Sequence, residues 1–462
     1  MKQISILIIA CFCMLACHQQ PQQQVTVTME HYDLPQMKDS GVVVALTLNS
    51  SISYFDYRGE PMGFQYELAK QFAQSLGLKL EMKTARDIDD LVIMLLRGEG
   101  DFIAYPLPVT KAFKDSVAFC GEDIITHQVL VQRNSNKKQK ALTNVTELIG
   151  KDIYAKPGKH LDRLINLDKE LGGGIRIHEV TNDSITNEDL SLQVSNGIID
   201  YTISDNDLAR LNKTYYPNLN IDLAVSFDQR ASWAVRKSSP LLSEAANQWH
   251  KENMTSPAYK AKTKKYFEMS KRLPHGPILS IKDGKISHFD HLFKKYASEV
   301  GWDWRVIASL AYNESNFDTT AVSWVGAKGL MQLMPRTARA MGIPEGKEQN
   351  AEESVKAATK YLAQLSRSFS KVTDPVEKMK FVLGAYNAGI GHVFDAMALA
   401  EKYGKNKYVW DDNVDTYILL KSNEEYFNDP VCKNGYFRGR ETFNFVKDIL
   451  GRAEMYKQKI KD

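Results

Sequence analysis

The sequence predicts a bilobal α/β domain followed by a mainly helical domain. Strand and helix patterns alternate between about residues 38 and 270, whereas amphipathic helices follow one another from Ile286 onward. Length agrees with this division, since 462 residues are too many for one ordinary hydrophobic core.

The first strand is predicted at GVVVALTLNS, where β-branched residues are bounded by Gly41 and an Asn-Ser turn. Apolar residues then recur at helical spacing in GFQYELAKQFAQSLG, and LKLEMK predicts the next strand. A helix ending in LVIMLLRGEG and the strand DFIAYPL repeat this order. Such alternation favours a largely parallel sheet.

A second α/β segment runs from TELIGKDIYAKPG to SNGIIDYTISDNDLARL. We expect two lobes joined by chain crossings near Val131 and Ser226, with a cleft between them. A hinged cleft of this kind is where such architectures bind ligands. Residues 271–285 contain two prolines and two glycines in a basic stretch, which predicts a linker.

Composition excludes several classes of function. The net charge is +3 and charged residues make up 25% of the chain, so neither nucleic acid nor an acidic partner is indicated. The ten histidines form no ligand-like cluster, and we expect no metal and no cofactor. Cys120 and Cys432 fall in different predicted domains, which disfavours a disulfide framework.

The N-terminus, MKQISILIIACFCMLAC, has one lysine and an apolar run too short to span a bilayer. Its ending resembles the lipobox of bacterial lipoproteins. We therefore expect a signal peptide over residues 1–16, lipidation of Cys17 and a polar tether over residues 17–37. The alternative is a plain signal peptide cut nearby. Several acyl chains on one cysteine would hold the protein at a membrane.

Residues 38–270 resemble the family-three extracellular solute-binding proteins in GFQYELAKQFAQSLGLKLEM, GDFIAYPLPVTKAFKDSVAF and GIIDYTISDNDLA. The resemblance implies a periplasmic-binding-protein-like fold and a cleft to which Asp205 would contribute the acid that receives an amino group. Phe113 stands where the family has the arginine that clamps a carboxylate. The cleft candidates are Tyr54, Phe55 and Asp205. Ordinary core or turn residues are the alternative reading.

In the helical domain, residues 286–462, Glu314 shares one helix face with Ile307, Leu310 and Ala311. A carboxyl that closes an apolar stripe is desolvated, which raises its pKa and suits it to act as a general acid. The alternative from spacing alone is a surface glutamate at the end of the helix.

The sequence around Glu314 distinguishes these alternatives. The Glu-Ser pair, GLMQLMP and AYNAG resemble the soluble lytic transglycosylase family, which has a lysozyme-like fold. The resemblance implies that Glu314 is the catalytic acid and base. It also implies substrate-binding roles for five residues: Ser323, Gln332, Met334, Tyr386 and Asn387. One departure is Phe445, at the place of a tyrosine whose hydroxyl lies beside the acid; Tyr417 is a second source of a hydroxyl.

The whole arrangement resembles the membrane-bound lytic murein transglycosylase F group. This implies peptidoglycan glycan strands as substrate, a lyase-type cleavage that leaves anhydromuramoyl ends, and outer-membrane attachment facing the periplasm. The first domain would sense a cell-wall peptide or amino-acid-like ligand. Two alternatives are a muramidase-type hydrolase on the same fold and a non-catalytic wall-binding lipoprotein.

Overall fold

The computed structural model describes residues 32–135, 140–182, 185–271 and 284–460. The predicted signal peptide, Cys17, most of the tether and most of the 271–285 linker lie outside these residues. Among the helices of the described ranges, none is both long and apolar enough to cross a membrane.

The first lobe begins with the following elements: α1 (Leu34–Ser40), β1 (Val42–Leu48), β2 (Phe55–Tyr57), β3 (Glu60–Met62), α2 (Phe64–Ser75), β4 (Lys79–Ala85), α3 (Ile88–Leu96), β5 (Phe102–Pro108), α4 (Lys111–Ser116) and β6 (Val117–Thr126). The second lobe follows with β7 (Gln128–Arg133), a 3₁₀ turn (Val145–Leu148), β8 (Asp152–Ala155), α5 (Lys159–Glu170), β9 (Arg176–Glu179), α6 (Asn187–Asn196), β10 (Tyr201–Asp205), α7 (Asn206–Tyr215) and β11 (Leu219–Asn220). The chain then returns to the first lobe with β12 (Gln229–Arg236), α8 (Pro240–Asn253) and α9 (Pro257–Phe267).

Each lobe is built on one sheet. The order is β4-β1-β5-β12-β6 in the first lobe and β11-β7-β10-β8-β9 in the second. The inner strands pair in parallel, as predicted, but β12 runs antiparallel to β5 and β6, and β7 runs antiparallel to β10 and β11. The sheets are therefore mixed, because the strand that follows each crossing, β7 or β12, runs opposite to the other strands of its sheet.

The crossings between the lobes lie at His127, between β6 and β7, and between β11 and β12. Ser226 falls in the second crossing, whereas Val131 lies inside β7, beyond the first one.

The lobe cores are apolar and well packed. In the first lobe, the ring centroids of Phe72 and Phe102 lie 5.6 Å apart in an edge-on arrangement. Strand formation thus follows the runs of β-branched and aromatic residues.

The C-terminal domain is helical, as predicted. Its elements are α10 (Asp290–Tyr296), a 3₁₀ turn (Ala297–Glu299), α11 (Trp304–Ser315), α12 (Pro335–Met341), α13 (Ala351–Ser368), α14 (Pro375–Ala388), α15 (Ile390–Lys402), a kinked turn (Trp410–Val414), α16 (Asp415–Leu420), α17 (Glu424–Phe427) and α18 (Gly439–Lys459). Helix α11 lies at the centre of this domain and packs against α18.

The helical domain contacts both lobes of the first domain. The Tyr436 hydroxyl donates to Glu188 Oε2 of the second lobe at 2.8 Å, and Glu188 Oε1 accepts from Ser51 of the first lobe at 2.7 Å. Arg440 Nε lies 3.0 Å from Asp189 Oδ1. One carboxylate, that of Glu188, therefore joins the two lobes and the helical domain at a single point.

Candidate active site

Glu314 lies in the last turn of α11 with its side chain only 5% exposed. Ile307, Leu310 and Ala311 on the same face are buried in the domain core, which follows from their helical spacing. The helix ends just after it because Asn316 adopts a left-handed conformation, with φ of 54°. Glu314 is thus a buried acid at a helix end, and the alternative of a surface glutamate is wrong.

The segment after α11 wraps around this carboxyl. The Ser315 hydroxyl donates to the carbonyl of Leu330 at 2.7 Å, which fixes the GLMQ turn to the helix. Gln332 is buried with φ of 47°, and its Nε2 donates to the carbonyls of Ala321 and Gly329 at 3.0 and 2.9 Å. Gly329 is required here because a Cβ would lie 2.3 Å from the carbonyl oxygen of Glu348.

Helix α14 contributes Tyr386 and Asn387. The Tyr386 hydroxyl donates to the carbonyl of Met331 at 2.7 Å and is buried. Asn387 Oδ1 accepts from the Thr442 hydroxyl of α18 at 2.5 Å. Because its oxygen is used in this way, the amide NH₂ of Asn387 is the end that can be offered to a ligand.

A hairpin of the first lobe enters this site. Residues 55–62, here called the Arg58 hairpin, consist of β2, a two-residue turn and β3, with Tyr57 paired to Glu60. The turn residues Arg58 and Gly59 have φ of 55° and 80°, as a tight turn between twisted strands requires. Arginine is uncommon in the left-handed conformation, so Arg58 is an unusual residue at this turn position.

The guanidinium of Arg58 occupies the centre of the site. Nη2 donates to both carboxylate oxygens of Glu314, at 3.0 and 3.3 Å. Nη1 donates to the carbonyl of Gln332 at 2.8 Å, and Nε donates to the carbonyl of Asn387 at 3.1 Å. One side chain thus binds the catalytic candidate and two of the predicted substrate-binding residues.

Burial raises the pKa of the Glu314 carboxyl, and the Arg58 guanidinium opposes this shift. Burial dominates because the side chain is removed from water on all sides. Burial of Arg58 would lower its pKa, but Glu314, together with Tyr57 and Tyr386, more than offsets this effect, and the pKa of Arg58 is raised. Arg58 therefore stays charged while it is bound to Glu314.

The other residues of the helical domain that the sequence analysis named differ in their burial and in their contacts. Ser323 Oγ accepts from the amide of Ala327 at 2.9 Å, and Met334 is buried beside a cavity at the domain boundary. Phe445 is buried on α18 in the domain core. Tyr417 stacks on Tyr403 at 5.6 Å, and no hydrogen bond joins it to Glu314 among the described residues.

The cleft candidates of the first domain are not brought together. Phe55 is buried in the core of the first lobe, and Tyr54 packs against Tyr66 at 5.6 Å between ring centroids. Asp205 instead pairs with Lys159 at 2.6 Å and with His160 at 3.5 Å. Burial would raise the pKa of Asp205, but the hydrogen bond with His160 and the charge of Lys159 outweigh burial and lower it. An amino group of a ligand would have to compete with Lys159 for this carboxylate.

Sequence reasoning missed Arg58, Thr442 and Glu188. The segment DYRGE has the pattern of an ordinary hairpin turn. The only local signal of a further role is an arginine at a turn position that favours glycine or asparagine. Thr442 lies three residues before Phe445, so the family resemblance pointed to its segment but not to its partner Asn387. Glu188 follows a capping threonine and carries no local signal of long-range contacts.

The two parts of the chain match two known families. Residues 42–269 match "Bacterial extracellular solute-binding proteins, family 3", and residues 291–409 match "Transglycosylase SLT domain". A solved structure described as an ancestral cationic amino acid solute binding protein aligns with 51% of this chain and 99% of its own, at 21% identity and a TM-score of 0.44. The two family matches define this class of protein, a transglycosylase domain fused to a solute-binding domain.

Relatives extend this similarity over nearly the whole chain. A membrane-bound lytic murein transglycosylase F of Desulfosudis oleivorans is 32% identical over 92% of this chain and 91% of its own length. One from Photobacterium profundum is 30% identical over 90% of this chain and 80% of its own. The chain belongs to the membrane-bound lytic murein transglycosylase F family, and the resemblance predicted from its motifs is confirmed.

Proposed function

We propose that this chain cleaves the bond between N-acetylmuramic acid and N-acetylglucosamine in peptidoglycan, with Glu314 as the catalytic residue. The observation that carries the proposal is the buried carboxyl of Glu314 at the end of α11, whose pKa is raised by burial. A carboxylic acid that stays protonated near neutral pH can protonate the oxygen of a leaving sugar.

One carboxyl is sufficient for a lyase-type cleavage. Glu314 protonates the glycosidic oxygen and the C–O bond to the muramoyl anomeric carbon breaks. The resulting carboxylate then takes the proton of the muramoyl C6 hydroxyl as that oxygen bonds to the same carbon, which gives an anhydromuramoyl end. Ordinary glycosidases need a second carboxylate for water or for a covalent intermediate. Within the described residues, no other carboxylate contributes to the pKa of Glu314.

The residues around Glu314 are proposed to hold the glycan. Tyr386 and Asn387 are fixed by hydrogen bonds to the GLMQ turn and to α18. Ser323, Gln332 and Met334 lie on the segment that wraps around the acid. Side chains fixed in this way lose little freedom when a substrate binds, which favours orientation of the reacting bond.

The first domain is proposed to hold the enzyme in a closed form. Arg58 donates hydrogen bonds to the carboxylate of Glu314 and to two backbone carbonyls. We propose that a sugar would otherwise contact these same groups. A substrate therefore has to displace the Arg58 hairpin before Glu314 can reach a glycosidic oxygen. Since Glu188 links both lobes to Tyr436, a cell-wall peptide or amino-acid-like ligand that moves the lobes would also change this docking.

Membrane attachment is proposed to occur through lipid on Cys17, at the outer membrane and facing the periplasm. Cys17 follows a short apolar run and precedes a glutamine-rich stretch, and relatives of the chain are named membrane-bound. An anchor of this kind would place the helical domain within reach of the wall. Radiolabelled palmitate incorporated by wild type and not by Cys17→Ser would support the assignment.

Mass spectrometry of fragments released from purified peptidoglycan tests the reaction. Four proteins are compared: wild type, Glu314→Gln, Arg58→Ala and the double variant Arg58→Ala/Glu314→Gln. The two proteins without Arg58 lack the contact that holds the closed form, so their activity is measured without that restraint. We expect anhydromuramoyl ends, with a rate lower by about 10² to 10⁴ when Glu314 is replaced. Reducing ends would mean a hydrolase, and Glu441, whose pKa responds to Arg58, would be the next acid to replace. No cleavage in the Arg58→Ala background would mean a wall-binding protein.

A further inference from the structure

A pocket of about 500 Å³ lies at the boundary between the first lobe and the helical domain. We call it the boundary pocket. Its first-lobe wall is formed by β3, α2 and α9, and its other wall by Val325 and the start of α12. Of the residues proposed to hold the glycan, only Met334 lines it, so the pocket is separate from the site around Glu314. Its volume is within the range of roughly 300–1,000 Å³ that is typical of small-molecule sites.

The lining of the boundary pocket carries an excess of positive charge. The basic side chains that line it are Lys70, Lys262, Lys265, Arg336 and Arg339. Two acids in the lining, Glu60 and Glu67, oppose them. The Glu67 carboxylate already accepts from Lys265 Nζ at 2.6 Å and from the Tyr266 hydroxyl at 2.7 Å. Cations held around one pocket repel each other unless an anion lies between them, so the lining favours an anionic ligand.

The two arginines of the lining lie on α12. Arg336 and Arg339 are both exposed and three residues apart, so their side chains project from one side of that helix. Neither forms a salt bridge within the part of the chain that the structure describes. A guanidinium binds the oxygens of a phosphate through two parallel hydrogen bonds, which makes arginine well suited to phosphate groups. The two side chains can therefore receive a phosphate.

The lysines of the opposite wall are crowded. Burial lowers the pKa of Lys262; Glu67 opposes this shift and the charge of Lys265 adds to it. Lys271 follows α9, and its Nζ donates to the carbonyl of Lys265 and lies 4.1 Å from the centre of the Trp324 ring. Burial, reinforced by the charge of Lys265, lowers the pKa of Lys271 to about 7. An anion in the boundary pocket would relieve this repulsion.

The boundary pocket also has an apolar part. Met62 and Met334 are buried and line it, one from each domain, and Pro61, Val325 and Pro335 line it as well. Methionine adapts its shape readily to an apolar group. An inorganic anion would contact the cations alone, and a strongly acidic peptide would leave the apolar surface without a partner. A phospholipid presents a phosphate group and, directly next to it, an apolar glyceride, which matches both parts of the lining.

We propose that the boundary pocket binds an anionic phospholipid in the surface of a membrane. Basic residues at one anionic surface act together, because each of them strengthens the attachment by about fivefold. The basic side chains of the lining belong to α2, α9 and α12, so both domains would contact the bilayer. Lipid binding here requires neither cleavage of peptidoglycan nor acylation of Cys17, and it would fix which side of the molecule faces the membrane.

Co-sedimentation with lipid vesicles tests the site on a chain that lacks residues 1–17 and keeps every residue that the structure describes. The vesicles consist of phosphatidylcholine alone or of an equal mixture of phosphatidylcholine and anionic phosphatidylglycerol. The glutamine variant is Arg336→Gln/Arg339→Gln, at exposed positions, and the lysine variant Arg336→Lys/Arg339→Lys keeps both charges. The matched control is Arg367→Gln/Lys371→Gln, which removes the same charge from exposed positions at and just after the end of α13.

We expect wild type, the control and the lysine variant to bind vesicles that contain phosphatidylglycerol, and the glutamine variant to bind them at least about tenfold more weakly. Binding should weaken as salt is added, and vesicles of phosphatidylcholine alone should leave all of these chains in solution. Equal binding by wild type and the glutamine variant, or loss of binding in the lysine variant as well, would overturn the proposal. Release of wild type by triglutamate or by inorganic phosphate, at an ionic strength held constant with sodium chloride, would assign the pocket to a soluble anion and overturn it too.

Discussion

The guanidinium of Arg58, in a hairpin of the first lobe, binds the carboxylate of Glu314 at 3.0 and 3.3 Å, although 256 residues separate them along the chain. Both side chains are almost fully buried, at 9% and 5% exposure. A buried pair of this kind depends on both partners, since removal of one leaves an uncompensated charge. The contact thus brings the first domain into the candidate active site.

Arg58→Ala should raise the rate of peptidoglycan cleavage in the absence of added ligand. The substitution removes hydrogen bonds to a charged group, each contributing about 1.5–3 kcal/mol, so we expect an increase of about tenfold or more. The check is the initial rate of release of soluble fragments. Arg86→Ala, which removes an exposed arginine of the same lobe, serves as the control and should leave the rate unchanged. An unchanged rate for Arg58→Ala would contradict the closed form.

The alkaline limb of the pH profile of kcat/KM should move upward in Arg58→Ala. Burial raises the pKa of Glu314 and Arg58 opposes it, so removal of Arg58 leaves the pKa higher still. A general acid must be protonated, and activity is therefore lost as pH rises through that pKa. The measurement is kcat/KM of wild type and of Arg58→Ala at about ten pH values between about 4 and 9. A limb that moves to lower pH would exclude Glu314 as the group that titrates.

Thr442→Val should impair substrate orientation by Asn387. The variant removes the donor that fixes Asn387 Oδ1, so the amide can rotate away from the substrate. Since the acceptor is left without its partner, we expect about tenfold lower kcat/KM and a loss of about 1–2 kcal/mol of stability. Thr442→Ser restores the hydroxyl and should recover most of the activity. A valine variant with full activity would show that this hydrogen bond is only structural.

Phe445→Tyr should increase activity and lower the pKa of Glu314. The family resemblance places a hydroxyl at this position beside the acid, and a donor to a carboxylate stabilises its charged form. We expect a rise in kcat of a few-fold, since one positioned donor contributes about 1 kcal/mol. Pre-steady-state rates in the Arg58→Ala background isolate the chemical step. A decrease in both rate and melting temperature would mean that the core around Phe445 has no room for the oxygen.

Asp395→Ala should strongly destabilise the chain and loosen the docking of its domains. Asp395 Oδ2 accepts from buried Lys421 at 2.6 Å, and the carboxylate also accepts from the backbone amides of Lys433 and Asn434. Those amides precede Tyr436, which binds Glu188. Removal of one partner of a buried ion pair costs about 3–5 kcal/mol. The check is urea unfolding at equilibrium, with Asp411→Ala, which removes an exposed carboxylate that also pairs with a lysine, as the matched control.

Much of the fold follows from local sequence patterns. The alternation of strand and helix patterns in residues 38–270 predicted the α/β lobes, and apolar spacing predicted the helical domain and the helix face that carries Glu314. The mixed character of the sheets did not follow, because the direction of β12 and β7 is set by where the chain crosses between lobes. Periodicity reports the faces of an element and carries no information about its neighbours.

The sequence by itself determined the family, the helical face of Glu314 and the segments that surround it. Those features depend on neighbours within a few helical turns, where spacing fixes which side chains meet. Only the tertiary structure decided that Arg58 occupies the site, that Asp205 is already paired with Lys159, and that Glu188 joins three parts of the molecule. Each of these is a contact between distant segments, whose partners are set by the docking of whole domains and leave no periodic trace in the chain.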